Sequence, residues 1–214
     1  MNPQRHHLIY LNPDAEITIN SCYADQRLIK NEVLYWLNKG LPCIYATQIP
    51  LQKKLNLGLT LLLQNKKQRV GLQVDPLFVQ KQTPPPQLHR MQDFFSCHYG
   101  INDLKSFMPP VANIAVYGSF LFHFLSGCSF VTPDSDLDLL IHYQGQSWVD
   151  LHNTIDELTH KFNRPIDGEV RFSLFGDIPI KELLDVAAEK VLCKSKEKVE
   201  LLAKAELYEH YPLL

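Results

Sequence analysis

The residues best equipped for chemistry fall in one stretch, VYGSFLFHFLSGCSFVTPDSDLDLLIHY, residues 116–143. Asp136 and Asp138 alternate there with Leu137, Leu139 and Ile141. Successive side chains of a strand point to opposite faces, so the two carboxylates share one face and the aliphatic residues the other. Adjacent carboxylates repel, which costs stability or raises a pKa unless a counter-charge is supplied. A hard divalent cation removes the conflict, because Mg²⁺ binds one or two protein carboxylates together with phosphate oxygens. Pro165-Ile166-Asp167-Gly168-Glu169-Val170 repeats the alternation, with Asp167 and Glu169 on one face and Ile166, Gly168 and Val170 on the other. Laid beside the first strand, this segment adds a third acid to the cluster. Upstream, Gly118-Ser119 ends an apolar strand and opens a helix. Glycine lets a phosphate approach the backbone there, and a helix N-terminus offers N–H groups to an anion. A phosphate cradle beside a carboxylate-bound cation suits attack on the α-phosphorus of a nucleoside-triphosphate-like donor, with pyrophosphate leaving. A lone Gly-Ser is ordinarily a turn, and a lone Asp-x-Asp ordinarily a solvated strand edge. Their combination is what points to catalysis.

Cationic side chains complete the candidate set. Arg69 and Lys194 are of the type that clamps phosphates, and Arg171, two residues past Glu169, shares its face and pairs with an acid or a phosphate. Ser135, immediately before the first acid, is grouped with Gly118, Ser119, Arg69, Arg171 and Lys194 as triphosphate-binding. His123 lies among Phe120, Phe122, Phe124 and Leu125, which reads as a core or boundary histidine in a packing segment, not a ligand. The basic runs 65–69 and 194–198 read as solvated faces, either of which could dock an acidic carrier protein.

These residues need elements to hold them. A strand over 113–117, a helix over 119–125, a strand over 136–143, a helix over 147–162 and a strand over 166–174 alternate around the site. A helix over 88–98 precedes them. A helix over 180–189 and a strand over 191–194 follow, and 196–208 reads equally as helix or hairpin. Thr83-Pro84-Pro85-Pro86 enforces an extended segment. It divides a mixed N-terminal domain, 1–83, from a catalytic domain, 88–214, across a linker at 84–87. Strands over 7–11, 43–47, 59–63 and 69–74 and a helix over 24–38 fill the first part. The expected class is α+β with α/β-like alternation: a mixed sheet with flanking helices, plus the smaller N-terminal domain.

Composition sets the outer limits. Twenty-one Lys and Arg against 23 Asp and Glu leave a formal net charge of −2, which argues against a protein that coats nucleic acid. Five cysteines with no Cys-x-x-Cys pair read as free thiols in a reducing cytoplasm, neither a disulfide framework nor a zinc knuckle. No signal peptide is apparent at the N-terminus. Residues 111–133 contain no Asp, Glu, Lys or Arg, but polar residues and two glycines interrupt them, so the expectation is a cytoplasmic protein without a membrane span.

The Gly-Ser turn, the Asp-x-Asp between apolar residues and the later acid resemble the nucleotidyltransferase superfold shared with DNA polymerase beta. Sixteen residues separate Ser119 from Asp136, longer than is usual across that superfold. That spacing, with the wording around Ser126-Gly127 and Ser135 to Leu140, resembles the malonate decarboxylase holo-acyl-carrier-protein synthases, also called phosphoribosyl-dephospho-CoA transferases. Arg5-His6-His7 is similar to the family's Arg-His-Asp opening, with His7 in place of the acid. Gly40-Leu41-Pro42, Gln68-Arg69-Val70, the triple proline, Asp167-Gly168-Glu169 and Val191-Leu192-Cys193-Lys194 follow in the family's order.

The resemblance implies transfer of the phosphoribosyl-dephospho-CoA prosthetic group from triphosphoribosyl-dephospho-CoA to a serine of the malonate decarboxylase acyl carrier protein, releasing pyrophosphate. It implies Mg²⁺, with Mn²⁺ as a substitute, on Asp136 and Asp138, with Asp167 or Glu169 completing the catalytic set, Asp167 being favoured. Gly118 and Ser119 are then expected on the β- and γ-phosphates. Two alternatives stand beside this: an adenylyltransferase acting on another protein or small acceptor, and a catalytically silent nucleotide-binding regulator. The second is weakened because every acid position is filled.

Overall fold

The computed structural model describes residues 3–21, 25–106, 111 and 113–214. The chain forms two compact units, residues 1–85 with 196–198, and residues 86–195 with 199–214. Mixed helix and strand content with two separate sheets makes the class α+β.

In the first unit, β1 (Leu8–Leu11), β2 (Ile17–Asn20), β3 (Cys43–Tyr45), β4 (Leu55–Leu63), β5 (Lys66–Val74) and β6 (Val79–Thr83) form one sheet in the order β2-β5-β4-β3-β1-β6. Every pairing in it is antiparallel. Alternate residues of β4 and β5 are buried, Leu57, Leu59, Leu61 and Leu63 with Val70, Leu72 and Val74, as expected of a sheet with one covered face. Helix α1 (Gln26–Asn38) starts where the Asp25 carboxylate accepts from Leu28 N–H, and it buries Ile29, Val33, Trp36 and Leu37. Ala24, the expected first residue of that helix, and Cys22 lie outside the described residues. The strands over 17–20 and 79–83 were not expected. Burial of the Cys43 thiol pushes its pKa up to about 12, so it is inert, and Cys97 and Cys128 are exposed free thiols.

The second unit carries α2 (Gln92–Tyr99), β7 (Ile114–Val116), α3 (Gly118–Ser126), β8 (Leu137–His142), α4 (Trp148–Phe162), β9 (Ile166–Phe172), β10 (Gly176–Pro179), α5 (Ile180–Leu184), β11 (Lys190–Lys194), β12 (Val199–Ala203) and α6 (Lys204–His210). Its sheet runs β12-β11-β10-β9-β8-β7, with β8 and β9 parallel and every other pair antiparallel. The parallel pair requires a crossover, and α4 supplies it. Ser147 starts that helix with a reciprocal cap: its hydroxyl accepts from Asp150 N–H while the Asp150 carboxylate accepts from Ser147 N–H. The Ser147 hydroxyl also donates to the Asp150 carboxylate at 2.8 Å, and that bond, with the one from Ser147 N–H adding, holds the Asp150 carboxyl below its ordinary range. Leu137, Leu139 and Ile141 of β8 pack with Phe95, Phe120, Leu151, Leu158 and Phe162 in one core. The phenylalanine-rich segment is thus packing, although Phe124 is exposed. His123 is half-buried with its Nδ1 2.7 Å from the Tyr99 hydroxyl, and burial, with His98 adding, lowers its pKa.

Two expectations need correction. The helix over 180–189 stops at Leu184, because the Asp185 carboxylate accepts from Ala187 N–H and turns the chain. The buried Lys204 ammonium then takes the carbonyls of Leu183 and Asp185, and that burial lowers its pKa. The ambiguous 196–208 segment is both things at once, β12 in a hairpin with β11 and then α6. Among the described residues no helix is long and apolar enough to cross a membrane.

Candidate active site

The strand alternation places the acids together. In the parallel ladder Asp138 lies opposite Asp167, and Leu140 opposite Glu169. Asp167 and Glu169 therefore project from the same side of the sheet as Asp138, roughly 5 Å apart between strands. The opposite side holds Leu137, Leu139, Ile166 and Val170, all buried. Gly168 allows this closeness. It sits at φ +131°, and a Cβ on it would lie 1.9 Å from the Leu139 carbonyl oxygen.

The Gly-Ser turn reaches the same acids. Tyr117 N–H donates to the Asp138 carbonyl at 3.0 Å, so the chain leaves β7 directly beside β8. Gly118 follows at φ +64°, and a Cβ there would fall 1.9 Å from Asp138 Oδ2 and 2.9 Å from Asp138 Cβ. Only glycine suits a left-handed backbone whose side-chain position is already filled by a carboxylate. Ser119 stands in the first turn of α3.

The other face-mates are ion-paired. Lys181, in the first turn of α5, places Nζ 2.9 Å from Asp167 Oδ2 and 3.5 Å from Asp136 Oδ2. Its hydrogen bond to Asp167 holds the ammonium pKa above the usual lysine range, with the charges of both acids adding and desolvation opposing. Glu169 is buried and accepts from Lys194 Nζ at 2.7 Å. Arg171 grips the buried Asp177 with two bonds, 2.6 Å from Nε and 2.8 Å from Nη2. The register sets Arg171 opposite Asp177 and Asp177 opposite Lys194, and the Lys194 side chain reaches past β10 to Glu169. The acid face is thus graded, from half-exposed Asp136 and Asp167 at one end to buried, neutralised Glu169 and Asp177 farther along.

The remaining candidates divide. Ser135 directs its hydroxyl into its own turn, accepting from Thr132 N–H at 2.9 Å and lying 3.0 Å from Thr132 Oγ1. Arg69 is exposed on β5 of the other unit, opposite Thr60.

Three participants escaped the sequence reading. Lys181 had one signal, a cation in the first turn of a helix, where the dipole disfavours it. Asp177 lies on a four-residue strand that was not expected. Arg164 is held out of α4 by Asn163 at φ +46° and by the following proline. Its Nη1 donates to the carbonyls of Thr132, Pro133 and Ser135, each at 3.0 Å. Its guanidinium also lies over the Phe120 ring, 5.5 Å from the centroid. It thereby ties the turn before Asp136 to the helix after Gly118.

Comparison with known proteins now bears on this geometry. Residues 4–85 match the model of the phosphoribosyl-dephospho-CoA transferase MdcG N-terminal domain, and residues 95–205 that of the C-terminal domain. The chain belongs to the phosphoribosyl-dephospho-CoA transferase family. The transferase is 27% identical over 216 residues to a phosphoribosyl-dephospho-CoA transferase of Xanthomonas axonopodis pv. citri, covering 95% of this chain and 96% of that one. It is likewise 27% identical over 206 residues to the one of Bradyrhizobium diazoefficiens, covering 94% and 90%. No solved structure matches the chain.

Proposed function

We propose that this transferase moves the phosphoribosyl-dephospho-CoA group from triphosphoribosyl-dephospho-CoA to a serine hydroxyl of the malonate decarboxylase acyl carrier protein, releasing pyrophosphate. The observation that carries the proposal is the close approach of the Gly118 turn to Asp138, with Asp138 opposite Asp167 on the neighbouring parallel strand. A glycine turn packed directly against paired carboxylates puts a helix N-terminus beside acids that can share a cation, which is what a polyphosphate donor requires.

The donor set fits a hard divalent cation. Asp136 and Asp167 already share one positive group, the Lys181 ammonium, and Asp138 stands next to Asp167. Asp136 and Asp138 would hold Mg²⁺, or Mn²⁺ in its place, which when bound neutralises charge on the triphosphate. Asp167 is the third acid in this reading, because Glu169 is buried and committed to Lys194. Backbone N–H groups at Gly118 and Ser119 would cradle the outer phosphates. Asp167 would take the proton of the attacking serine as its oxygen bonds to the α-phosphorus and the bond to pyrophosphate breaks. Arg171 and Lys194 stabilise the buried acids beside the site, and Arg164 fixes the turn that aims Asp136.

Intact-mass spectrometry of apo carrier protein, incubated with the enzyme, Mg²⁺ and either triphosphoribosyl-dephospho-CoA or ATP, tests this. The expected result is a gain equal to the prosthetic group with the first donor and none with ATP. Labelling by ATP alone would mean an adenylyltransferase, and labelling by neither would leave the acceptor assignment wrong.

A further inference from the structure

Lys181 is the unusual member of the acid face. The buried acids each have a cation from a strand of the same sheet, but Asp136 and Asp167 are served by a side chain from a five-residue helix. That side chain is 61% exposed and its two partners are 36% and 37% exposed, so the bridge is wet at both ends. Exposed ion pairs are weak and exchange readily, because water and salt compete for both charges. Buried pairs do not exchange so easily, and Arg171–Asp177 and Lys194–Glu169 are of that kind. One positive charge therefore sits on an Asp136 oxygen that a divalent cation would need and on the Asp167 carboxylate that would take the proton, on a tether able to move.

We infer that Lys181 is an exchangeable counter-ion. It neutralises Asp136 and Asp167 in the empty enzyme, yields them when a divalent cation binds, and then turns its ammonium to the polyphosphate arriving with the donor. The inference rests on the metal reading given above and deepens it. No bond is made or broken in the exchange. The ammonium trades carboxylate oxygens for phosphate oxygens and stays charged throughout. It has two functional consequences. The free acid pair is protected from self-repulsion, and metal affinity is kept low until a polyphosphate offers the ammonium a new partner. Binding of metal and polyphosphate is thereby coupled through one side chain.

The two halves predict opposite effects of one substitution, which a purely structural lysine would not produce. In Lys181→Met the competitor is gone, so Mn²⁺ alone should bind tighter. Exposed pairs of this kind suggest a gain of about 1.5- to fivefold at low ionic strength. With Mn²⁺ saturating, inorganic tripolyphosphate should bind the same variant more weakly, by about the same factor. Lys181→Arg should restore polyphosphate binding at least in part. The measurement is Mn²⁺ titration by electron paramagnetic resonance, then tripolyphosphate titration by calorimetry, on full-length wild type, Lys181→Met, Lys181→Arg and Asp136→Asn. Unchanged or weaker Mn²⁺ binding in Lys181→Met, with wild-type binding intact and lost in Asp136→Asn, overturns the inference and leaves the metal reading standing. Wild type that binds no Mn²⁺ overturns both. Tighter Mn²⁺ binding without loss of tripolyphosphate affinity overturns the transfer of the ammonium to phosphate.

Discussion

Replacing Gly118 by alanine separates two costs that the structure assigns to different places. The first is backbone strain. At φ +64° an L-residue is disfavoured, and the cost is about 1–2 kcal/mol. For a chain of 214 residues that lowers Tm by roughly 2–8 °C, taking about 2–4 °C per kcal/mol. The second cost is local. The new Cβ would lie 1.9 Å from Asp138 Oδ2, 2.6 Å from Cγ and 2.9 Å from Cβ, so the whole side chain must move and not merely its tip. Ordinary contact for such atoms is about 3.5 Å, so the carboxylate oxygen must retreat by roughly 1.5 Å. Misplacement of a reacting group by an ångström costs on the order of 10²-fold in rate, and Gly118→Ala is expected to lose at least that in kcat. Gly127→Ala is the matched control, since Gly127 sits at φ +70° at the other end of α3 with nothing within 4 Å of its Cβ position. It should lose stability similarly and keep its activity. The assays are differential scanning calorimetry and pyrophosphate release with carrier protein as acceptor. If Gly118→Ala keeps near-wild-type kcat with Tm lowered as expected, the approach of the turn to Asp138 does not matter to the reaction, and the reasoning fails.

Other outcomes follow from the same contacts. Asp177→Ala leaves the Arg171 guanidinium without its buried partner and should cost about 3–5 kcal/mol, read by chemical denaturation. Arg164→Ala removes three bonds to the 132–135 turn and should lower kcat more than it raises KM, because the turn sets Asp136 in place; guanidinium added to the assay should restore part of the loss. Burial, with Arg171 adding and Asp177 opposing, lowers the pKa of His142. A histidine whose folded pKa lies below its unfolded value contributes stability that is complete above the ordinary value, about 6.5, and is lost as pH falls from there through the lower folded value. Thermal unfolding should therefore show Tm falling below pH 6.5, less so in His142→Gln, with the His142 ring titrating below its ordinary value by NMR.

What the sequence disclosed depended on period. In 136–142 and 166–170 the acids fall at every second position, with Leu137, Leu139, Ile141, Ile166 and Val170 on the other face, so the shared face of the carboxylates could be read without coordinates although Leu140 joins it. The Gly-Ser turn stood out because an apolar strand runs into it. The partners of those acids were another matter. Gly176–Pro179 is four residues long and ends in proline, so it carries no strand signature, and the Arg171–Asp177 pairing depends on its register. Lys181 reaches its acids across 45 and 14 positions of sequence, a relation that only the folded sheet creates. The over-long helix at 180–189 has a similar origin. Helix-forming residues continue past Leu184, but the Asp185 side chain and the distant Lys204 end the helix. In the N-terminal unit β2 and β6 are edge strands with exposed positions and polar residues, which weakens any apolar pattern.

The central claim is that Asp136, Asp138 and Asp167 act together in transfer, whereas Glu169 is a structural acid held by Lys194. Its most direct test is the single-turnover rate of pyrophosphate release from triphosphoribosyl-dephospho-CoA, with apo carrier protein in excess, for the wild type and the four amide variants. Asp136→Asn, Asp138→Asn and Asp167→Asn should each be folded by circular dichroism and slower by about 10²-fold or more. Glu169→Gln should lose stability and, where folded, keep most of its rate. Full rate in a folded Asp138→Asn protein, or a Glu169→Gln protein that is stable and inactive, would contradict the account.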